Sequence, residues 1–194
     1  MHEELKMLLD MMEEGRLHPL DAEDALIQGL DVDDPELRAR VLIYTGETIT
    51  TDEMAQRHLR ICQDENASPP ERANAAIALG PCIEDCVWGD WAVDYLEPAL
   101  SKDCFRKLKR GLKAIYESPE TPELVRRKVL EAAVRADEDW PRKAVEEAWR
   151  KDDIKWKMTA VFGTRYVTGC NAILEEALDS DEQKILMEAL RAAA

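Results

Sequence analysis

Apolar residues recur along this chain with the spacing of an α-helix. The first segment, residues 3–14, has leucines and methionines on one side and acidic residues on the opposite side, and Gly15 ends it. Asp21 and Asp52 are suitable N-caps for two further helices. No run of four or more residues alternates apolar and polar positions with β-branched enrichment. The pattern therefore predicts an all-α fold without strands.

A second pattern recurs around five basic anchor residues: Arg38, Arg72, Arg126, Lys155 and Lys184. The residue three positions after each anchor is apolar: Val41, Ala75, Val129, Met158 and Met187. The residue eight positions after each anchor is small or β-branched: Gly46, Gly80, Val134, Gly163 and Ala192. Successive anchors are 34, 54, 29 and 29 residues apart, so the long interval indicates a repeat interrupted by about 20 extra residues.

The repeat unit has the length of two short helices and two turns. A unit of about 30 residues suffices for this, given the rise of ~1.5 Å per residue in a helix and loops of a few residues. One such pair cannot bury both of its faces, and stacking pairs side by side completes the core. The sequence predicts a single domain over residues 1–194, a solenoid of about four to five helix pairs with an acidic insertion at about 81–101.

Three anchor segments resemble the first helix of HEAT repeats: DPELRARVL (34–42), PERANAAIALG (70–80) and PELVRRKVLEAA (122–133). In that family an acid or proline in the turn and an arginine about four residues later support hydrogen bonding between repeats. The segments at Lys155 and Lys184 match more loosely, because lysine lacks the forked guanidinium. The resemblance implies a right-handed α-α superhelix of the armadillo type. It also implies a non-catalytic protein-protein interaction scaffold or adaptor, without a cofactor.

The charge of the chain is strongly uneven. Its net charge is −15, and residues 1–101 hold 7 basic against 23 acidic residues, whereas residues 102–194 hold 19 against 18. An acidic chain repels phosphate backbones at long range, so general nucleic-acid binding is disfavoured. No basic flank followed by an apolar run opens the chain, and no apolar stretch approaches 18 residues. We therefore expect no signal peptide and no membrane span.

The five cysteines are an odd number without framework spacing: Cys62, Cys82, Cys86, Cys104 and Cys170. Reduced thiols in a cytoplasmic protein explain them best. The Cys82-x-x-x-Cys86 pair, flanked by Glu84 and Asp85, is the best candidate for half of a zinc or redox site. No second Cys or His pair lies nearby, and no nucleophile motif or phosphate-binding glycine loop is present. The sequence predicts no metal and no catalytic residue.

Six basic residues crowd one predicted helix, residues 102–113: Lys102 and the five candidate contact residues Arg106, Lys107, Lys109, Arg110 and Lys113. One hypothesis makes this helix a contact surface for a phosphate or an acidic partner protein. The other is a balance of charge with the acids that precede it: Glu84, Asp85, Asp90, Asp94 and Glu97. HEAT-like DNA glycosylases, which this chain resembles in repeat type, line their concave face with basic residues and aromatics. A nucleic-acid-binding or base-excision enzyme of that type is therefore the alternative function.

The insertion at about 81–101 combines aromatic and acidic residues. Its aromatic members, Trp88, Trp91 and Tyr95, form either a docking site for a protein or a set of side chains that pins the insertion onto the repeats. The other three tryptophans are assigned to packing: Trp140, Trp149 and Trp156.

The last predicted helix, residues 181–193, has an apolar side that no following helix covers in the sequence: Ile185, Leu186, Ala189 and Leu190. Solenoids normally end in a polar capping helix, because an uncovered terminal face promotes association. Three expectations follow: this helix packs inward as a cap, a natural C-terminal segment is missing, or two copies pair as a homodimer through the same patch.

Overall fold

The computed structural model describes residues 2–89 and 100–194, and in these ranges the chain is helical without a β-strand. Eleven α-helices occur in the described ranges: α1 (His2–Glu13), α2 (Glu23–Gly29), α3 (Pro35–Tyr44), α4 (Asp52–Gln63), α5 (Pro69–Gly89), α6 (Lys102–Glu117), α7 (Glu123–Ala133), α8 (Asp139–Trp149), α9 (Ile154–Gly163), α10 (Asn171–Leu178) and α11 (Gln183–Ala193). Short 3-10 segments lie at Pro19–Ala22, Gly46–Thr48 and Val134–Ala136. The predicted all-α class is confirmed.

Side-chain caps determine where several helices begin. The Asp34 carboxylate accepts hydrogen bonds from the first free amides of α3, at 3.0 and 3.1 Å, and Asp153 does the same for α9 at 2.7 and 3.1 Å. Two predicted caps are wrong. Asp52 is the first residue of α4, which Thr51 caps instead, and Asp21 lies in a 3-10 segment before α2.

The helices contact one another in an ordered succession. Helices α3, α5, α7, α9 and α11 form one layer in which each contacts the next, and each also contacts the helix that precedes it in the chain. Helix α4 also contacts α6. Three hydrophobic clusters follow the same order, with Trp140 packed against the first two and Trp149 against the last two. These two tryptophans, and Trp156 at 3% exposed, therefore serve packing as predicted.

Two anchor arginines, Arg72 and Arg126, hold the turns within helix pairs. The Arg72 Nε donates to the carbonyl of Cys62 at 3.0 Å, and one Arg126 nitrogen donates to the carbonyls of Ser118 and Thr121 at 2.9 and 3.1 Å. The third anchor arginine, Arg38, donates to Glu71 of α5 at 2.6 Å, which is a bond between repeats of the kind that the resemblance implied. Each arginine lies within the first turn of its helix, so its long side chain reaches back to the carbonyls of the preceding turn.

The predicted insertion begins inside a helix. Helix α5 continues through residues 81–89, and Cys82 and Ile83 are buried in the main core. After the gap, Leu100 is buried, and Ser101 donates from its backbone N–H and hydroxyl to Asp52, at 2.8 and 2.5 Å. Within the described parts of the chain, no helix has the length and apolar composition needed to cross a membrane.

Candidate functional site

The predicted basic surface lies on the solvent side of α6. Leu108, Leu112 and Ile115 bury the opposite side of the helix in the main core. Three of the five predicted contact residues form ion pairs. Arg106 lies 2.7 Å from Asp103, Lys113 lies 3.8 Å from Glu117, and Lys109 lies 3.1 Å from Glu138. Arg110 and Lys107 are also exposed, so α6 presents a cationic but partly neutralised surface.

The described residues do not form the expected ion pairs between α6 and the acids that precede it. Glu84 lies 3.5 Å from Arg135, which follows α7, and Asp85 is exposed. The other three acids of that hypothesis, Asp90, Asp94 and Glu97, lie outside the described residues. The ion pairs of α6 come instead from its own turns and from Glu138, because these carboxylates lie within reach along and beside the helix.

The predicted aromatic docking residues fall largely outside the described part of the chain. Trp91 and Tyr95 are not among the described residues, and Trp88 lies in the last turn of α5. A docking role for these three residues stays a prediction.

A groove that the sequence analysis did not identify lies on the layer formed by α5, α7, α9 and α11. Its volume is about 360 Å³. Four cationic side chains line it: Arg127, Lys128, Arg135 and Lys155. Two carboxylates and three apolar side chains complete the lining: Glu131, Glu188, Ile77, Met158 and Phe162. The run 126–128 and the anchor Lys155 were visible as basic positions, but nothing in the sequence indicated that they meet.

Both carboxylates of the groove already have partners. Glu131 is buried and accepts a hydrogen bond from the Thr159 hydroxyl at 2.8 Å and an ion-paired bond from Lys128. Glu188 accepts from Arg191 at 3.3 Å. Lys128 and Arg191 therefore neutralise the two acids. Of the other three cations, Arg127 lies 3.9 Å from Glu123 and Arg135 lies 3.5 Å from Glu84, and neither carboxylate lines the groove.

Arg135 is held in place by contacts on several sides. Its guanidinium lies against Gly80, where a Cβ would approach within 2.7 Å of the terminal nitrogen. The guanidinium carbon lies 4.9 Å from the centre of the Tyr166 ring and 5.6 Å from that of Phe162. The Nε is buried and has no hydrogen-bond partner among the described residues. A buried donor without a partner is rare.

Arg127 and Lys155 stand side by side across α7 and α9. The Arg127 side chain is 13% exposed, lies 3.9 Å from Glu123, and donates a long hydrogen bond of 3.4 Å to the Lys155 carbonyl. Its Nε is likewise buried without a hydrogen-bond partner in the described chain. Lys155 is exposed. Two adjacent cations with incomplete hydrogen bonding can bind a carboxylate or a phosphate.

The cysteines lie away from this groove and are all buried. Burial raises the pKa of the Cys62 and Cys82 thiols far above its ordinary value, which suppresses thiolate chemistry. Among the residues that the structure describes, no three His, Cys, Asp or Glu side chains are grouped to hold a metal ion.

The sequence matches no protein-family model, and no curated protein matches it. The geometry and charge of the groove are therefore the basis for a functional proposal.

Proposed function

We propose that this protein is a non-catalytic protein-protein interaction scaffold or adaptor built from HEAT-like helix pairs. The support for an α-α superhelix is the succession of contacts through α3, α5, α7, α9 and α11, with each helix also contacting its predecessor. Five consecutive pairs, from α2/α3 to α10/α11, fit the expected number of four to five.

The groove on the α5–α11 layer carries the proposal. In a superhelix of helix pairs, the second helices form the concave surface that such proteins use for binding. Four of these second helices contribute side chains to the groove. Its excess of cations over carboxylates, in a chain of net charge −15, is a local reversal of sign that favours a specific anionic partner.

The chemistry of the groove favours binding over catalysis. Its lining consists of guanidinium, ammonium, carboxylate and apolar groups, with no serine, cysteine or histidine among the lining residues. Both carboxylates are neutralised by cations, which favours a structural role over proton transfer.

The alternative function, a nucleic-acid-binding or base-excision enzyme, is favoured by the same cations. Against it stand the net charge of the chain and the aromatic content of the groove, whose lining includes Phe162 but neither Trp nor Asp. A protein partner accounts for the mixture of charged and apolar lining residues better than a phosphate backbone does.

Quantitative affinity capture from the source cell tests the scaffold proposal. The Lys155→Glu variant reverses an exposed charge in the groove, and Lys143→Glu makes the same change at an exposed position of α8 as a matched control. We expect a protein partner that the wild type and the Lys143→Glu variant retain and the Lys155→Glu variant loses. Capture of nucleic acid in place of protein would favour the alternative, and the absence of any specific protein partner would contradict the scaffold.

A further inference from the structure

We infer that the groove between α7 and α9 binds a short acidic segment of a partner protein in which an apolar residue stands beside the carboxylates. The inference rests on the proposed scaffold function and names the chemistry of the segment that it recognises. The distribution of charge, the apolar wall and the rigidity of the groove support it in turn.

The charge of the groove selects carboxylates. Lys128 and Arg191 neutralise Glu131 and Glu188. Of the three remaining cations of the lining, Lys155 is exposed, whereas Arg127 and Arg135 make long ion pairs of 3.9 and 3.5 Å with Glu123 and Glu84, which lie outside the lining. Arg127 and Arg135 each have a buried Nε that no described group satisfies. A forked guanidinium matches the planar geometry of a carboxylate, and the ammonium of Lys155 adds a mobile donor at the rim.

The apolar lining of the groove indicates that the bound segment contains an apolar residue as well as carboxylates. Ile77 of α5 and Met158 and Phe162 of α9 line the same groove as these three cations. A segment of carboxylates alone would leave these side chains facing water. An apolar residue beside the acidic residues of the segment would bury the three apolar side chains of the groove. This burial contributes about 25 cal/mol of binding free energy for each Å² of apolar surface removed from water.

The groove is preformed and small. The contact of Arg135 with Gly80 and the bond from Thr159 to Glu131 hold its walls together across helices. Its volume of about 360 Å³ lies near the lower end of ligand sites, which span roughly 300–1,000 Å³. It therefore accommodates a few side chains of an extended segment and not a folded domain.

The ring of Phe162 is already engaged, which favours a peptide over a nucleic acid. The guanidinium carbons of Arg135 and Arg165 lie 5.6 and 5.9 Å from its centre, and the Tyr166 ring lies 5.5 Å away. Binding of single-stranded nucleic acid usually depends on free aromatic faces on which bases stack. Because its ring is engaged in this way, Phe162 offers the groove an apolar edge and not a free face for base stacking.

Fluorescence anisotropy with four labelled probes tests the inference on the full-length protein. The probes are a short peptide alternating Glu and Leu, the same peptide with Gln for Glu, the same with Ser for Leu, and oligo-dT. We expect the Glu/Leu peptide to bind the wild type most tightly and to bind less tightly as salt is added. The double variant Arg127→Gln/Lys155→Gln should weaken its binding by at least about tenfold.

Lys143→Gln on α8 is the matched control and should leave the affinity unchanged. If the double variant loses helical content in circular dichroism, Lys155→Gln alone replaces it, since that side chain is exposed. Hydrogen exchange should show protection by the Glu/Leu peptide in α7 and α9 and none in α4. Equal binding of the Glu/Leu and Gln/Leu peptides, stronger binding of oligo-dT, or binding of none of the probes would overturn the inference.

The two proposals fail separately. Capture of a protein that depends on Lys155, without binding of the Glu/Leu peptide, would leave the scaffold in place and overturn the acidic segment. If no protein is captured in a Lys155-dependent way and the Glu/Leu peptide does not bind, both the scaffold and the acidic segment are overturned.

Discussion

The Nε of Arg38 on α3 donates to the carboxylate of Glu71 on α5 at 2.6 Å, and this bond joins two successive helix pairs. Glu71 is 1% exposed, and its other oxygen accepts from the backbone N–H and hydroxyl of Ser68, at 2.9 and 2.7 Å. Ser68 and Glu71 thus form a capping box that starts α5. Burial raises the pKa of Glu71, but the bonds from Ser68 and Arg38 outweigh it and hold the pKa below 4.5.

We expect Glu71→Gln to lower the free energy of unfolding by about 1–3 kcal/mol at neutral pH, because it removes the charge that Arg38 and the capping box share. Since the folded pKa is depressed, this stabilisation is present above the unfolded pKa and is lost as pH falls through the folded pKa. Urea denaturation of both proteins at neutral and acidic pH measures the difference. Glu36→Gln, an exposed change on α3, is the control. A difference between wild type and variant that persists in acid would contradict this account.

Gly80 in the middle of α5 and Gly163 at the end of α9 are predicted to be required by close packing. A Cβ on Gly163 would lie 2.5 Å from Val145, and one on Gly80 would lie 2.7 Å from Arg135. We expect Gly163→Leu and Gly80→Leu each to lower stability by about 1–3 kcal/mol through overpacking. Gly46→Ala is the control, because a Cβ there meets its nearest atom at 3.4 Å. Thermal denaturation compares the three variants, and wild-type stability in either leucine variant would refute the packing argument.

His58 should make the protein less stable in mild acid. The side chain is fully buried, its Nδ1–H donates to the Met54 carbonyl at 2.9 Å, and its Nε2 lies 2.8 Å from the Thr45 hydroxyl as an acceptor. Burial lowers its pKa from 6.5 to about 4. As pH drops, the unfolded chain therefore takes up the proton at this histidine before the folded chain does. Between pH 6.5 and 4 this uptake lowers the free energy of unfolding by about 3 kcal/mol.

The variant His58→Gln should lose this part of the pH dependence, although it also loses hydrogen bonds and is less stable at neutral pH. His18→Gln, at an exposed position, is the control. Denaturation curves across that pH range give the slopes. Parallel slopes for wild type and His58→Gln would show that His58 does not titrate as its burial requires.

The cysteines are predicted to be reduced and to bind no metal. Because all five are buried and burial raises the pKa of Cys62 and Cys82, a thiol reagent should react slowly with the native protein. After denaturation without reductant, five thiols should react. Mass spectrometry of the native protein reports any bound zinc. Fewer than five reactive thiols, or a stoichiometric metal, would reverse the prediction.

A homodimer through α11 stays a prediction. Ile185 and Ala189 of this helix pack in one cluster with Val161, which places part of its apolar side against α9. On the outer side, Met187 and Leu190 remain 45% and 50% exposed. Light scattering at two protein concentrations tests the pairing, which a monomeric mass at the higher concentration would exclude. If a dimer forms, Leu190→Glu should dissociate it, because a carboxylate would be buried in the contact without a partner.

The anchor pattern identified buried positions well where the anchor is arginine and less well elsewhere. Val41, Ala75 and Val129 are fully buried, whereas Met187, at the same offset from Lys184, is largely exposed. The offset describes one face of a helix, but how far that face is covered depends on the next helix. For that reason the groove was missed, although Lys155 had been identified as an anchor.

The sequence by itself determined the helices and the positions of their buried faces, because periodicity, caps and turn residues act within a few residues of one another. It also determined the positions of the anchor arginines, of which Arg72 and Arg126 bond the turn that precedes their helix. The tertiary structure alone decided which charges are neutralised. Glu84 pairs with Arg135 and Lys109 with Glu138, partners far apart in the chain. Electrostatic attraction depends on distance in space, which only the packing of the helices sets.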